Sequence, residues 1–315
     1  MKKMDVKGWT KRYQTVFALV LLVMVASLLS DNFLTINNMM NMLRQSSINA
    51  IIAFGMTLVI LSGGIDLSVG SILAISSALA MSSLVAGQGG GVAMFIALVA
   101  GTLMGMSTGL LIAKAKLQPF IVTLIMMNLL RGATLVFTDG KPITLDFTRV
   151  DAFYNFIGNG KLGIIPMPVV VMLLVFGLTY YLLYHTKLGR YIYAVGGNEQ
   201  VAHLSGINVV RVKVIIYGYM GFLAALAGVI LSSRLLSAQP TAGANYELDA
   251  IASVVVGGTS LAGGVGGIGS TLMGALLIGV LNNALNLLQV SSYYQMIVKA
   301  LVILVAVLLN RNIKK

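Results

Sequence analysis

A single aspartate interrupts a stretch of sequence that otherwise suits lipid. Asp66 lies within LSGGIDLSVGS, residues 61–71, between two long apolar runs. One interpretation makes it a helix cap: Leu67 would begin a helix, and the carboxylate would accept the free amide hydrogens of residues 68 or 69. The other places it deeper, since ionisable groups inside a membrane are costly and often mark a pathway. The chain would then be broken at residues 62–64, and Asp66 would line a pore or its inner gate.

Polar side chains also recur inside the apolar runs. Amides and hydroxyls there could exchange hydrogen bonds with a neutral, hydroxyl-rich solute such as a sugar. They could equally join neighbouring helices, each such bond contributing about 0.6 kcal/mol. Asn282 and Asn286 share one helix face, because they are four residues apart. The pathway candidates are Asn49, Thr57, Asn128, Asn282, Asn283 and Asn286.

Several kinds of chemistry find no support in the sequence. The chain has no cysteine, which excludes disulfides and thiolate metal sites. It has no G-x-x-x-x-G-K-[ST] motif with which to hold ATP. GVGGIG at 264–269 matches a dinucleotide fingerprint, but neither a preceding strand nor the expected acidic residue accompanies it. Because no nucleophile with a base and an orienting acid stands out either, we expect no enzyme, metal or cofactor site in this chain.

The composition is typical of a membrane protein. Of the 315 residues, 58% are hydrophobic and 10% charged, whereas soluble domains have about 45–50% apolar and about 25% charged residues. A membrane span needs about 20 mostly apolar residues. We therefore expect an all-α integral membrane protein, with residues 1–315 as a single domain. The ten predicted spans are 15–30, 46–62, 67–86, 92–113, 118–137, 167–185, 213–232, 248–263, 268–290 and 294–310.

The charges orient these predicted spans. The net charge is +12, and most lysines and arginines fall in segments on the same side as the N-terminus. The positive-inside rule therefore places both termini in the cytoplasm, and it accounts for the positive charge without a nucleic acid partner. Two long polar segments remain, an outer loop at 138–166 and an inner loop at 186–212.

Small residues predict close helix packing. Gly101, Gly105 and Gly109 form a doubled G-x-x-x-G face, which could pack within one subunit or form a dimer contact. An internal repeat is also suggested, because VGSIL at 69–73 aligns with IGSTL at 268–272. Internal repeats are common in transporters.

Four longer blocks carry a family likeness. Together they resemble the membrane-spanning permease of bacterial ABC sugar importers, over about residues 15–310. The blocks are GMTLVILSGGIDLSVGS (55–71), LGRYIYAVGGNEQVAHLSGINV (188–209), SAQPTAGANYELDAIASVVVGGTSLAGG (237–264) and NNALNLLQVSSYYQMIVKALVIL (282–304). The resemblance implies a homodimer in the bacterial cytoplasmic (inner) membrane and a cytoplasmic ATPase subunit that holds ATP and Mg. It also implies an extracytoplasmic sugar-binding protein, with D-ribose, or another pentose or hexose, as substrate.

The resemblance also assigns roles to individual residues. The inner loop would contact the ATPase: Asn198 can cap a short helix that begins at Glu199, and Gly206 can end it. The coupling residues would be Gly197, Asn198, Glu199, Ala202, Leu204, Gly206 and Ile207. Charges expected on the outer side would dock the binding protein and mainly affect its rate of association. These are Arg131, Arg234, Glu247 and Asp249.

A secondary transporter or channel that works alone is the alternative from another class. Such a protein would need an intramembrane charge pair or a proton relay. The deep charges are few, namely Arg131, Lys299 and, on the second interpretation above, Asp66, and the sequence shows no obvious partners for them. The long inner loop therefore favours the ATP-driven importer.

Overall fold

The computed structural model describes residues 6–146 and 150–311, so residues 147–149 of the predicted outer loop lie outside the described part. The described chain is mostly helical. Its helices are α1 (Val6–Leu29), α2 (Ile36–Leu61), α3 (Val69–Val85), α4 (Gly90–Lys114), α5 (Pro119–Phe137), α6 (Ala152–Asn159), α7 (Met167–His185), α8 (Lys187–Gly197), α9 (Glu199–Leu204), α10 (Val209–Leu235), α11 (Tyr246–Val256), α12 (Ile268–Leu287) and α13 (Ser292–Arg311). Two antiparallel pairs of two-residue strands accompany them. β1 (Ile143–Thr144) pairs with β4 (Ser237–Ala238), and β2 (Lys161–Leu162) pairs with β3 (Ile165–Pro166).

Six of the described helices are long and apolar enough to cross a membrane: α2, α4, α5, α7, α10 and α12. α3 and the stretch Thr15–Leu29 of α1 are shorter apolar helices. The predicted span at 248–263 is wrong, because α11 ends at Val256 and glycine-rich turns follow it. The span predicted to start at 46 belongs to a helix that starts at Ile36, where the Thr35 side chain accepts a hydrogen bond from Asn38 N.

We name the two ends of the helix bundle after the short helices that lie there. On the α6 side, Gly90 N at the start of α4 donates to Asp151, and Ser232 near the end of α10 bonds the Tyr154 hydroxyl. On the α9 side, Lys213 near the start of α10 pairs with Glu199. α1 starts from the α9 side, since Thr15 donates to the carbonyl of Val256.

The element order repeats in the opposite direction. α1 to α5 correspond to α7 and α10 to α13, and each helix runs against its counterpart. α3 and α4 pack on α10, just as α11 and α12 pack on α2. This is the inverted repeat common among transporters. The predicted alignment of 69–73 with 268–272 is therefore wrong, because it pairs α3 with α12 and not with α11.

Each repeat contains a break where the chain leaves helical geometry inside the protein. In the first break, residues 62–68, the carbonyl of Ile65 accepts bonds from the hydroxyls of Thr123 and Tyr217, both at 3.4 Å. Tyr217 lies eight residues into α10, so this break reaches about 12 Å from the α9 side at 1.5 Å per residue. The non-helical backbone is thus satisfied by protein and not by lipid.

The second break, residues 236–245, enters from the α6 side. Arg131 Nη1 donates to the carbonyls of Pro240 and Ala242 at 2.6 and 2.9 Å. The start of α3, directly after the first break, meets the second break at Gly70 and Gly243. A methyl group on Gly70 would overlap the Gly243 carbonyl oxygen. α3 and α11 therefore both begin in the interior of the protein.

The doubled glycine face of α4 packs within the same chain. A methyl group on Gly105 would overlap the Tyr217 carbonyl oxygen, and Gly101 lies against Gly221 and Ala225. The prediction of packing inside one subunit is therefore confirmed for this face. α2 and α10 are the most buried of the spanning helices, whereas α4, α5 and α7 expose many apolar side chains, as lipid-facing helices do.

Asp151 fastens the segment between α5 and α7 to the bundle. Its Oδ1 accepts the Tyr154 amide at 2.8 Å and caps α6, and its Oδ2 accepts the Gly90 amide at 3.0 Å. These two bonds, led by that from Gly90, lower the pKa of the Asp151 carboxyl. One carboxylate therefore serves the first turns of two helices, where negative charge is favoured.

We predict that Asp151→Ala lowers the free energy of unfolding by about 0.5–2 kcal/mol, the usual effect of removing a helix cap. A carboxyl whose pKa is lowered by folding stabilises fully above its unfolded pKa of about 3.9, and this contribution is lost as the pH falls through the folded pKa. The wild-type advantage should thus disappear on acidification. Thermal unfolding in detergent at several pH values measures it. Asp139→Asn is the control, because the Asp139–Lys141 pair is exposed and asparagine tolerates the left-handed backbone of residue 139, with φ +52°; an equal effect of both variants would contradict the prediction.

Candidate functional site

A polar cavity opens among α2, α10, α11, α12 and α13. It has a volume of about 390 Å³, within the range of about 300–1,000 Å³ typical of small-molecule sites. Most of its polar lining consists of neutral amides. The polar lining residues are Gln45, Ser46, Asn49, Arg234, Tyr246, Asp249, Asn282, Asn283, Asn286, Gln295 and Lys299.

The amides of α12 give the cavity its hydrogen-bonding character. Asn283 exchanges bonds with Asn38 at 2.9 Å, and Asn286 accepts a bond from Gln295 at 2.9 Å. By contrast, the side-chain oxygen of Asn282 is buried and has no hydrogen-bond partner among the described residues. A buried acceptor left without a donor is costly, so a solute hydroxyl could satisfy it once the Asn282 side-chain amide turns toward the cavity.

One ion pair crosses the cavity wall. Lys299 Nζ on α13 lies 3.1 Å from Asp249 Oδ2 on α11, and Asn49 Nδ2 lies 3.5 Å from the same oxygen. The Asp249 side chain is only 10% exposed, so the lysine neutralises a nearly buried charge. Lys299, for which the sequence showed no partner, is therefore paired.

The structure separates the sequence-predicted pathway candidates into two groups. Asn49, Asn282, Asn283 and Asn286 line the cavity. Thr57 does not: its hydroxyl is buried and bonds Thr271 on α12 at 2.8 Å, a helix-to-helix contact. Asn128 is exposed and donates to Leu124 of its own helix. These two side chains therefore have structural partners away from the cavity.

Asp66 lies in the first break and is fully buried. Its Oδ1 accepts both the amide and the hydroxyl of Ser68, at 2.8 and 2.6 Å. The predicted bond from the amide of residue 68 is confirmed, but the helix begins at Val69 and not at Leu67. Oδ2 has no hydrogen-bond partner among the described residues. The N-cap residue of α3 is Ser68, so the predicted helix-cap role of Asp66 is wrong, and its carboxyl combines a turn bond to Ser68 with an unpartnered buried oxygen.

The charges predicted to dock a binding protein lie mostly inside the protein. Arg131 holds the second break, and Glu247 lies beside Gly70 where the breaks meet. Asp249 is 7% exposed, and both Asp249 and Arg234 line the cavity. For Glu247 and Asp249 the reason is that α11 starts inside the protein and carries its acidic first turn there.

The predicted coupling segment forms the helices α8 and α9. Asn198 Oδ1 accepts the Val201 amide at 3.0 Å, which confirms the predicted cap, and Gly206 ends the helix with φ +84°. Ala202 faces inward at 3% exposed, whereas Leu204 is 86% exposed. α9 is thus stabilised by the Asn198 cap and exposes the apolar side chain of Leu204.

Sequence reasoning missed several lining residues, namely Gln45, Tyr246, Gln295 and Lys299. Gln45 and Asn49 are four residues apart on α2, which is the same signal that singled out Asn282 and Asn286. The predicted span begins at residue 46, one position after Gln45, and therefore excludes this pair.

Comparison with known proteins gives a consistent result over almost the whole chain. Residues 38–307 match the family model described as "Branched-chain amino acid transport system / permease component". The chain is 55% identical to "Ribose import permease protein RbsC" of Escherichia coli (strain K12) over 306 residues, covering 97% of this chain and 95% of that protein. It is 53% identical to the protein of the same name from Bacillus subtilis (strain 168), covering 99% and 96%.

A more distant relative carries another sugar in its name. The chain is 40% identical to "D-allose transport system permease protein AlsC" of Escherichia coli (strain K12), covering 98% of this chain and 93% of that protein. No solved structure matches the chain.

The ion pair of the cavity yields a testable prediction. Lys299→Met leaves the Asp249 carboxylate nearly buried without its cation, and we expect a loss of up to about 3 kcal/mol in the free energy of unfolding. Adding Asp249→Asn should recover most of that loss, because the uncompensated charge is then absent. Thermal unfolding of the single and double variants in detergent measures both effects. Additive losses in the double variant would show that the two side chains do not interact.

Proposed function

This chain belongs to the family of branched-chain amino acid transport system permease components, and we propose that it is the membrane-spanning subunit of an ATP-driven D-ribose importer. It is a multi-pass protein of the bacterial inner membrane, with six described helices able to span it. The proposed substrate rests on the names of the relatives that are 53–55% identical over nearly their whole length.

The cavity is the observation in the structure that supports a sugar. Its lining offers amide donors and acceptors, and its charged groups are the Lys299–Asp249 ion pair and Arg234, whose guanidinium can donate to sugar hydroxyls. Ribose is neutral and carries several hydroxyls, so it can exchange hydrogen bonds with such a wall without disturbing a fixed charge. The unpartnered oxygen of Asn282 would accept one of those hydroxyls.

We propose three protein partners for this subunit. A second copy completes the pathway as a homodimer, a cytoplasmic ATPase supplies ATP hydrolysis with Mg, and an extracytoplasmic sugar-binding protein delivers ribose. α9 supports the second partner, because Leu204 and Val201 expose apolar surface on a helix in a polar loop, as docking sites often do. This proposal makes the α9 side cytoplasmic, in agreement with the positive-inside rule.

Transport assays that leave out one component at a time test this proposal. Proteoliposomes containing this chain, its ATPase and a ribose-binding protein should take up radiolabelled ribose, and each component should be required. Uptake by this chain alone would instead indicate a secondary carrier or channel. Uptake of allose with its own binding protein, and not of ribose, would retain the importer and correct its substrate.

Asn282→Ala should slow transport without changing assembly. Loss of one hydrogen bond of about 0.5–1.5 kcal/mol predicts a two- to tenfold lower maximal uptake rate. The KM for ribose should stay constant, because the binding protein captures the sugar. Asn128→Ala is the matched control, since Asn128 bonds its own helix outside the cavity. An unchanged maximal rate in the Asn282 variant would contradict its contact with the sugar.

A further inference from the structure

Three separate parts of the backbone meet on the α9 side, at a point that we call the glycine junction. They are the end of α2 with Leu61 and Gly63, the end of α8 with Gly196, and the turn between α11 and α12 with Gly263 and Gly264. Gly264 N donates to the carbonyl oxygen of Leu61 at 2.9 Å. Backbone therefore touches backbone here, with no side chain between the three segments.

Gly196 occupies the most crowded position of the junction. A methyl group there would overlap the carbonyl oxygen of Leu61 and lie 2.8 Å from Gly264 N. The next residue, Gly197, has open space at the corresponding position. Close approach, and not helix flexibility, is thus the reason for glycine at 196.

Two side-chain contacts strengthen this connection of the α8–α9 segment. The Tyr193 hydroxyl on α8 donates to the carbonyl of Gly266 in the same turn at 2.8 Å. Burial raises the pKa of this phenol, so it keeps the proton that it donates. On α9, Glu199 accepts two 2.8 Å bonds from Lys213, one helical turn before Tyr217, which bonds the first break.

Three of the helices that meet at the junction also line the cavity. α2 carries Asn49, α11 carries Asp249, and α12 carries Asn282. Leu61 lies twelve residues after Asn49, a separation of about 18 Å along one continuous helix. Helices transmit displacement over such lengths because they are rigid between their ends.

We propose that Gly196 is a positioning residue that passes displacement of α8–α9 to α2, α11 and α12, three of the five helices that line the cavity. This inference rests on the proposed function, in which an ATPase moves α9. Because the backbones are in direct contact, a shift of α8 displaces α2 and the α11–α12 turn together. A side chain introduced at residue 196 would push α8 away from both and weaken the response of the cavity to nucleotide.

The absence of native cysteine provides a direct assay. Gln45→Cys places a single thiol on an exposed position of the cavity wall. In the reconstituted complex with the ATPase, the rate of maleimide labelling at this thiol should differ between the ATP-bound and nucleotide-free states. Adding Gly196→Ala should reduce this difference about three- to tenfold, whereas adding Gly177→Ala, at an exposed glycine of α7 with open space around it, should preserve it.

A second pair of variants distinguishes a specific effect on the junction from misfolding. Tyr193→Phe removes only the hydroxyl that bonds Gly266, and Tyr191→Phe removes one from an exposed tyrosine of the same helix. We expect a smaller loss of the labelling response in the first variant and none in the second. Ribose imported per ATP hydrolysed should fall in parallel with the labelling response, while thermal stability of the Tyr193 variant stays near that of the wild type.

The outcomes separate this inference from the proposed function. An equal labelling response in the Gly196 and Gly177 variants, or no response to nucleotide in the wild-type background, would overturn the role of the junction. A response that depends on Gly196, in a complex that does not import ribose, would support the junction and reject the substrate. Import of ribose with full coupling in the Gly196 variant would support the importer and reject the junction.

Discussion

The structure depends on one constraint: non-helical backbone inside a membrane must find its hydrogen-bond partners within the protein. Two breaks enter the bundle from opposite sides, and each is satisfied by side chains of neighbouring spanning helices. Thr123 and Tyr217 bind the first break, whereas Arg131 binds two carbonyls of the second. This requirement fixes α5 and α10 beside the breaks, and the glycines of α4 then allow α10 to approach closely.

The breaks also determine where polar chemistry can occur. Because α11 begins in the interior, its first turn carries Tyr246 and Asp249 to the cavity and not to the protein surface. A continuous helix over 248–263 would have left that acidic turn at the membrane boundary. Lys299 and Asn49 both reach the same oxygen of the Asp249 carboxyl. The cavity is thus a consequence of the broken helix, and its neutral amides complement that ion pair.

The sequence predicts local features better than it predicts the course of the chain. The position of α9 was predicted correctly from Asn198, Glu199 and Gly206, since cap residues act on their own neighbours. The composition of residues 248–263 does not distinguish a membrane span from a short helix followed by turns, because both can be almost entirely apolar. The docking role predicted for Asp249 came from that error. Likewise, Asn128 and Asn282 look equivalent in sequence, and only the packing shows which of them lines a cavity.

The inverted repeat indicates where this protein departs from its own symmetry. Its two halves match helix for helix, but they differ in the connection between their first and second helices. α1 joins α2 through residues 30–35, whereas α7 joins α10 through residues 186–208, which hold α8 and α9. Two identical halves would respond identically from both sides of the membrane. The inserted segment contacts α2, α10 and the α11–α12 turn on the α9 side, whereas α6 on the other side contacts α4 and α10. An input from the α9 side therefore reaches α2, α11 and α12, three of the helices that line the cavity, and this asymmetry gives an otherwise symmetric bundle a direction.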